Sequence, residues 1–247
     1  MTAPIPSISN PSPSGATPSG SSTIGDVRST AADQLAGFFA AATRADGQLR
    51  RAAAEINRGI GPTTIRFDQR TVAAVRAIDL DAVVRAMPGG LPPALQRSLL
   101  QVYADLASRT AAMHDIELYA GQPLPRNGEG ARTLFACLGN GSAPAGLFGS
   151  DLAAARRLAA RTGPVSLARA SSRSSAEIAI RTWLIHDRNY AGGGCGGYIP
   201  RPIVLEPITW KRIVLTGAGV WDGTIGELPF RAQYTGQHGW RVVFAAN

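Results

Sequence analysis

From Thr30 to Ile56 the apolar positions Leu35, Phe38, Phe39, Ala42, Leu49, Ala53 and Ile56 recur at the three-and-four spacing that gathers side chains on one helix face. Thr30 and Asp33 suit its start, since a hydroxyl and a carboxylate three residues apart can satisfy the orphan amides of a first turn. The run from Gly59 to Pro62 suits its stop. A second helix is expected over about 69–86 on Val72, Val75, Ile78, Val83 and Val84, with Asp79 and Asp81 interrupting the stripe and Pro88-Gly89-Gly90 closing it. The third runs from Pro92 to about Tyr119, because Leu95, Leu99, Val102, Leu106 and Met113 keep the period and proline suits a first helical turn. Three such segments with short connections read as a helical bundle.

After a Gly/Pro-rich loop over 120–129, a short helix is expected around Leu134, Phe135 and Cys137, ending at Gly139-Asn140-Gly141. Ser150 reads as the cap of a helix over 151–162, closed by Gly163-Pro164. Ser174-Ser175-Ala176-Glu177 then has the spacing of a capping box for a helix reaching about Arg188. Ile178, Ile180, Trp183, Leu184 and Ile185 put apolar residues nearly all round it, so it is expected to be central.

Beyond 191–202 the pattern changes to strands, at Ile203-Val204-Leu205, at Ile213-Val214-Leu215, and at two alternating runs. In the first, Phe230, Ala232 and Tyr234 point away from Arg231 and Gln233. In the second, Trp240, Val242 and Phe244 share a face, and 235–239 is the intervening turn. A bare hairpin is marginal in water, so one face of this sheet must pack on something apolar; the helix at 175–188 is the expected partner. The fold class is therefore α+β, a mainly helical bundle followed by a small C-terminal antiparallel sheet. Residues 1–25, rich in Ser, Pro, Thr and Gly, cannot bury enough surface to offset the entropy of ordering and read as a disordered tail. One globular domain over 26–247 follows, helical to 190 and β-rich over 198–247.

The hydrophobic content of 45% in 247 residues suffices for a full core. No apolar run approaches the roughly 20 residues that a bilayer-spanning helix needs. The chain carries a net charge of +8, yet Lys211 is the one lysine among 25 basic residues. The arginines are scattered among apolar positions rather than clustered with aromatics, which speaks against nucleic-acid binding.

Cys137 and Cys195 are the two cysteines of the chain. Alongside such a tail they suggest a disulfide and an oxidising compartment; closing that loop would stabilise the fold by about 4 kcal/mol. Two unrelated thiols remain the alternative. A second reading makes Cys195, set among Gly192, Gly193, Gly194, Gly196 and Gly197, a nucleophile served by His186-Asp187. Adjacent residues on a helix diverge by about 100°, which disfavours that geometry. The dipeptides His114-Asp115 and His186-Asp187 are weak as a metal signature, with only His238 to add, so no metal or cofactor is expected. Nothing in the spacing of Glu129, Asp151, Glu177, Glu206, Asp222 or Glu227 pairs two carboxylates for catalysis. Aromatics gather in the last third, and Trp183, His186, Tyr190, Tyr198 and Trp210 are the candidate binding residues, lining a groove for a glycan or peptide.

The segments Cys137 to Gly141, Phe148, Asp151-Leu152 with its Ala/Arg-rich helix, Trp183 to Asn189, the glycine-flanked Cys195 and Pro207 to Trp210 together resemble uncharacterised secreted or lipid-anchored proteins of high-GC Gram-positive bacteria, over about residues 130–215. That resemblance implies export and a disulfide and carries no activity. A lipid tether would require a native N-terminus other than Met1. The expected function is a binding or interaction protein outside the cytoplasm or at the cell surface, its partner a surface protein, glycan or peptide. Two alternatives stay open: an extracytoplasmic hydrolase with a site near His186 and Cys195, and a cytoplasmic basic protein that binds nucleic acid.

Overall fold

A computed structural model describes residues 30–142, 145–190, 206–211, 219–236 and 239–244. Helices α1 (Ala31–Gln34) and α2 (Ala36–Gly59) form one nearly continuous rod. Its start is the expected one: Thr30 Oγ1 accepts from the Asp33 amide while the Asp33 carboxylate accepts from the Thr30 amide, a reciprocal cap. The stripe from Phe38 to Ile56 is buried. The second expected helix is two, α3 (Gln69–Arg76) and α4 (Leu80–Arg85). Asp79, which breaks the apolar stripe, does so because it caps α4, accepting from the Ala82 amide at 2.8 Å. Asp68 caps α3 in the same way.

Helix α5 (Pro93–His114), continued by a 3-10 turn over Asp115–Tyr119, is the axis of the bundle. Leu95, Leu99, Leu100, Val102, Tyr103, Leu106 and Ala107 are buried round most of its circumference. Against it pack α2, α6 (Glu129–Ser142), α7 (Ala145–Arg161) and α8 (Arg173–Tyr190). Three boundaries differ from expectation. α6 runs through Gly139-Asn140-Gly141 to Ser142 despite glycine's weak helix preference. α7 begins before Ser150, whose hydroxyl donates back to the Leu147 carbonyl at 2.8 Å inside the helix and caps nothing. The cap of α8 is Ser172, which accepts from the Ser175 amide; Glu177 turns instead to Arg181 and Gln96. Two short strands, β1 (Thr64–Ile65) and β2 (Leu124–Pro125), pair antiparallel beside the bundle.

The C-terminal part is a four-stranded antiparallel sheet in the order β3 (Ile208–Trp210), β4 (Val220–Ile225), β5 (Leu228–Tyr234), β6 (Trp240–Phe244). β4 is a strand that sequence patterning does not reveal, since Asp222, Gly223 and Gly226 dilute its alternation. Gly223 has a packing reason: a Cβ there would overlap the Thr209 carbonyl oxygen and the Phe230 ring. The hairpin from β5 to β6 turns as expected, Thr235 N–H donating to the Gly239 carbonyl, with Gly236 and Gly239 at φ 71° and 74°. The segments 203–205 and 213–215, the tail, and Cys195 lie outside the described residues. Cys137 is fully buried on α6 and is not a free thiol.

α8 joins the two halves, as expected. Ile178 and Ile185 belong to the bundle core, while Ala176, Ile180, Leu184 and Trp183 face the sheet. Its first turn is seated by close backbone contact: a Cβ on Gly89 would lie 2.6 Å from the Ser175 amide nitrogen, and Gly90 sits at φ 84° with the Ala168 N–H donating to the Gly89 carbonyl.

The bundle core contains charge. Arg109 on α5 donates to Asp46 on α2 at 2.6 Å, both nearly buried, while Arg50 holds the second Asp46 oxygen at 2.7 Å and Phe148 lies under the Arg109 guanidinium. Immediately before Arg109 on α5, the buried Ser108 hydroxyl has no hydrogen-bond partner among the described residues. Removing one member of a buried pair strands the other, costing about 3–5 kcal/mol. Asp46→Ala should therefore lower unfolding stability by about that amount, whereas Ser108→Ala, which deletes an unsatisfied hydroxyl, should leave it unchanged or raise it by up to about 1 kcal/mol. Urea unfolding followed by circular dichroism checks both.

Candidate binding face

Pleating divides the sheet into two chemically opposite faces. The inner face, against α8, carries Ile208, Trp210, Trp221, Ile225, Phe230, Ala232, Trp240, Val242 and Phe244 in one apolar cluster. Trp183 stacks on Phe244 with ring centres 4.6 Å apart, and Trp210 meets Trp221 and Phe230 edge-on at 6.0 and 5.5 Å. Trp221 satisfies its indole N–H on the Ser171 carbonyl at 3.3 Å, tying the sheet to the segment that leads into α8.

The structure thus brings two of the five candidate binding residues, Trp183 and Trp210, into one cluster, and their packing there secures the sheet to α8. His186 lies one turn beyond Trp183 and is exposed, and Tyr190 is the last residue of α8. Tyr198 and Cys195 lie outside the described residues, and with them the second half of the site read between His186 and Cys195. Among the carboxylates, Glu177 is engaged by Arg181 at 2.9 Å and Asp222 by Arg231 at 2.8 Å. Among the described residues, no three His, Cys, Asp or Glu side chains are grouped to hold a metal.

The outer face is polar and cationic. Register places Lys211, which follows β3, beside Asp222 on β4, with Arg231 on β5 and Val243 on β6 continuing the same row. The next row holds Val220, Gln233 and Arg241. These side chains and Pro229 border an open depression of about 510 Å³; Phe230 also borders it but turns its ring to the inner face, against Trp210. Arg231 grips Asp222 with both Nε and Nη2 at 2.8 Å, a fork matched to the two carboxylate oxygens. Arg241 makes no ion pair among the described residues. Among the described residues of these two rows, three cations stand against one carboxylate, a net +2.

Sequence alternation already turns Arg231 and Gln233 away from the core. The row itself stays hidden until β4 is known as a strand, because Asp222 connects Lys211 to Arg231 only through the register.

No family model, curated protein or solved structure matches this chain. The resemblance over residues 130–215 accordingly remains a reading of the sequence.

Hydrogen bonds from Arg231, and beyond them the nearby charges of Arg231 and Lys211, hold the Asp222 carboxyl below the usual carboxylate range; partial burial opposes them. A depressed folded-state pKa gives stability that is full above the unfolded value of about 4 and is lost as pH falls through the folded one. The melting temperature of Asp222→Asn should thus lie below that of the parent at pH 7, with the gap narrowing as pH falls below about 4. The gap will be modest, because Arg231 is largely exposed and solvent screens the pair.

Proposed function

We propose that this chain is an extracytoplasmic binding protein that holds an anionic partner on the outer face of its C-terminal sheet. The carrying observation is the two-row array of Lys211, Arg231 and Arg241 around a single carboxylate on an open, rigidly backed surface. Cations fixed on a sheet face are spaced by the strand register, so a ligand meets a set pattern of charge rather than a diffuse positive field. The reading fits a cell-surface role in which steering by opposite charge brings partners together.

The location outside the cytoplasm rests on the two cysteines. Cys137 is fully buried and not a free thiol, and Cys195 is the chain's one other cysteine. We pair them. Such a link would tie α6 to the glycine-rich segment between α8 and the sheet, closing the chain across both cores, and it belongs to an oxidising compartment.

Two measurements test this reading. A thiol titration of the purified, denatured and unreduced protein should find no free thiol; two would remove the disulfide and with it the argument for export. Binding of fluorescent poly-glutamate, followed by anisotropy, should weaken steeply with added salt, and Arg241→Ala should weaken it about tenfold. A parent protein that retains no anionic polymer at low ionic strength would end the proposal.

A further inference from the structure

The row geometry of the outer face, resting on the anion-binding reading above, also bears on what kind of anion is bound. Lys211 and Arg231 stand in one row two strands apart, and strands lie about 4.8 Å apart, so their stems are about 10 Å from each other. Arg241 is opposite Gln233, hence diagonal to Arg231, at the roughly 7–8 Å of diagonal sheet neighbours. No single carboxylate or phosphate spans this array. An extended polypeptide does: its side chains return to one face every second residue, about 6.7 Å apart, which matches the Arg231–Arg241 diagonal.

Three further features separate a peptide from a nucleic acid. Among the outer-face positions Thr209, Val220, Thr224, Gln233 and Val243 there is no aromatic ring; the tryptophans of this sheet are spent on the inner face. Among these described positions a single-stranded nucleic acid thus finds no stacking platform. Asp222 stands inside the cationic row, where it repels a continuous phosphate backbone but leaves gaps between discrete carboxylates. Gln233 and Thr209 offer neutral hydrogen bonds suited to main-chain amides, and Val243, 49% exposed, adds a small apolar contact beside Arg231.

We infer that the outer face of the sheet receives an extended acidic segment of a protein partner, with carboxylates at alternate positions falling on Arg231 and Arg241 and a further one reaching Lys211. Asp222 acts as a positioning residue: its bidentate grip holds the Arg231 guanidinium in a defined orientation, so less side-chain freedom is lost on binding.

The test compares two fluorescent probes of equal charge on the full chain, a peptide with glutamates at every second position and an oligothymidylate. The expected result is a peptide Kd at least fivefold below that of the oligothymidylate. Arg231→Ala and Arg241→Ala should each weaken the peptide about fivefold or more. Val243→Asp, which sets a carboxylate beside Arg231 on an exposed position, should weaken it similarly while circular dichroism and melting temperature stay those of the parent. Replacing the peptide's glutamates by glutamines should abolish binding. Oligothymidylate binding as tightly as the peptide, or peptide binding indifferent to Val243→Asp in a folded variant, overturns the peptide inference and leaves the anion reading standing. Absence of binding by either probe at low salt overturns both.

Discussion

Two-sided burial of α8 is the constraint on which the rest of the molecule depends. A four-stranded sheet with one face of tryptophan and phenylalanine would present a large contiguous apolar patch to water if left uncovered, and α8 is the helix that packs on it among the described contacts. The same helix gives Ile178 and Ile185 to the bundle, so neither core can shift along α8 without exposing residues of the other. Its start is fixed by sterics as well: Gly89 and Gly90 admit the chain so closely that any side chain there would strike Ser175 or Ala168. Arg181, buried on α8, completes the arrangement by gripping Glu177 and donating to the Glu206 carbonyl at the entrance to the sheet.

Once the inner face is committed to α8, strand pleating decides the character of the outer one. Residues at alternate positions on β4, β5 and β6 must point to solvent, and the chain places arginines, Gln233 and Asp222 there. The bundle handles charge differently. Asp46 and Arg109 are taken out of water together, and the cost of desolvating them is met by direct contact, by Arg50 and by the Phe148 ring. A buried pair of this kind specifies how α2 meets α5, whereas the outer-face pair of Asp222 and Arg231 fixes a side chain that solvent and ligands can reach.

The parts of this architecture that were legible in the sequence are those in which one physical signal acts alone. The α2 stripe, the Thr30 cap, the length of α5, the last hairpin and the docking of the sheet on α8 all follow from periodicity and turn chemistry. Where two signals compete, patterning misleads. Asp79 looks like a flaw in one helix because a cap and an apolar stripe overlap there; Ser150 has a capping residue's chemistry but lies inside α7; Ser174 and Glu177 have a capping box's spacing, yet Ser172 does the capping and Arg181 takes the glutamate. β4 escapes because Gly223 is selected by contact with Thr209 and Phe230, neighbours that are distant in sequence. The cationic face inherits that difficulty, since its rows exist only through the pairing of strands. The aromatics of the last third were visible as a group, but composition does not say which sheet face they occupy.

Asp222 shows why charge alone understates such a face. A sheet presenting only Lys211, Arg231 and Arg241 would attract any polyanion, its long side chains sweeping freely and losing that freedom on each contact. With a carboxylate fixed between the first two, the mean field falls while Arg231 is held by two hydrogen bonds in one orientation. Its remaining guanidinium N–H groups then point in fixed directions, a geometry that discriminates between ligands by shape. The lower net charge weakens indiscriminate attraction, and for the acidic partner proposed above the smaller entropy loss would favour a match to the register. On the proposed reading, selectivity would arise from the same strand pairing that holds the tryptophans against α8.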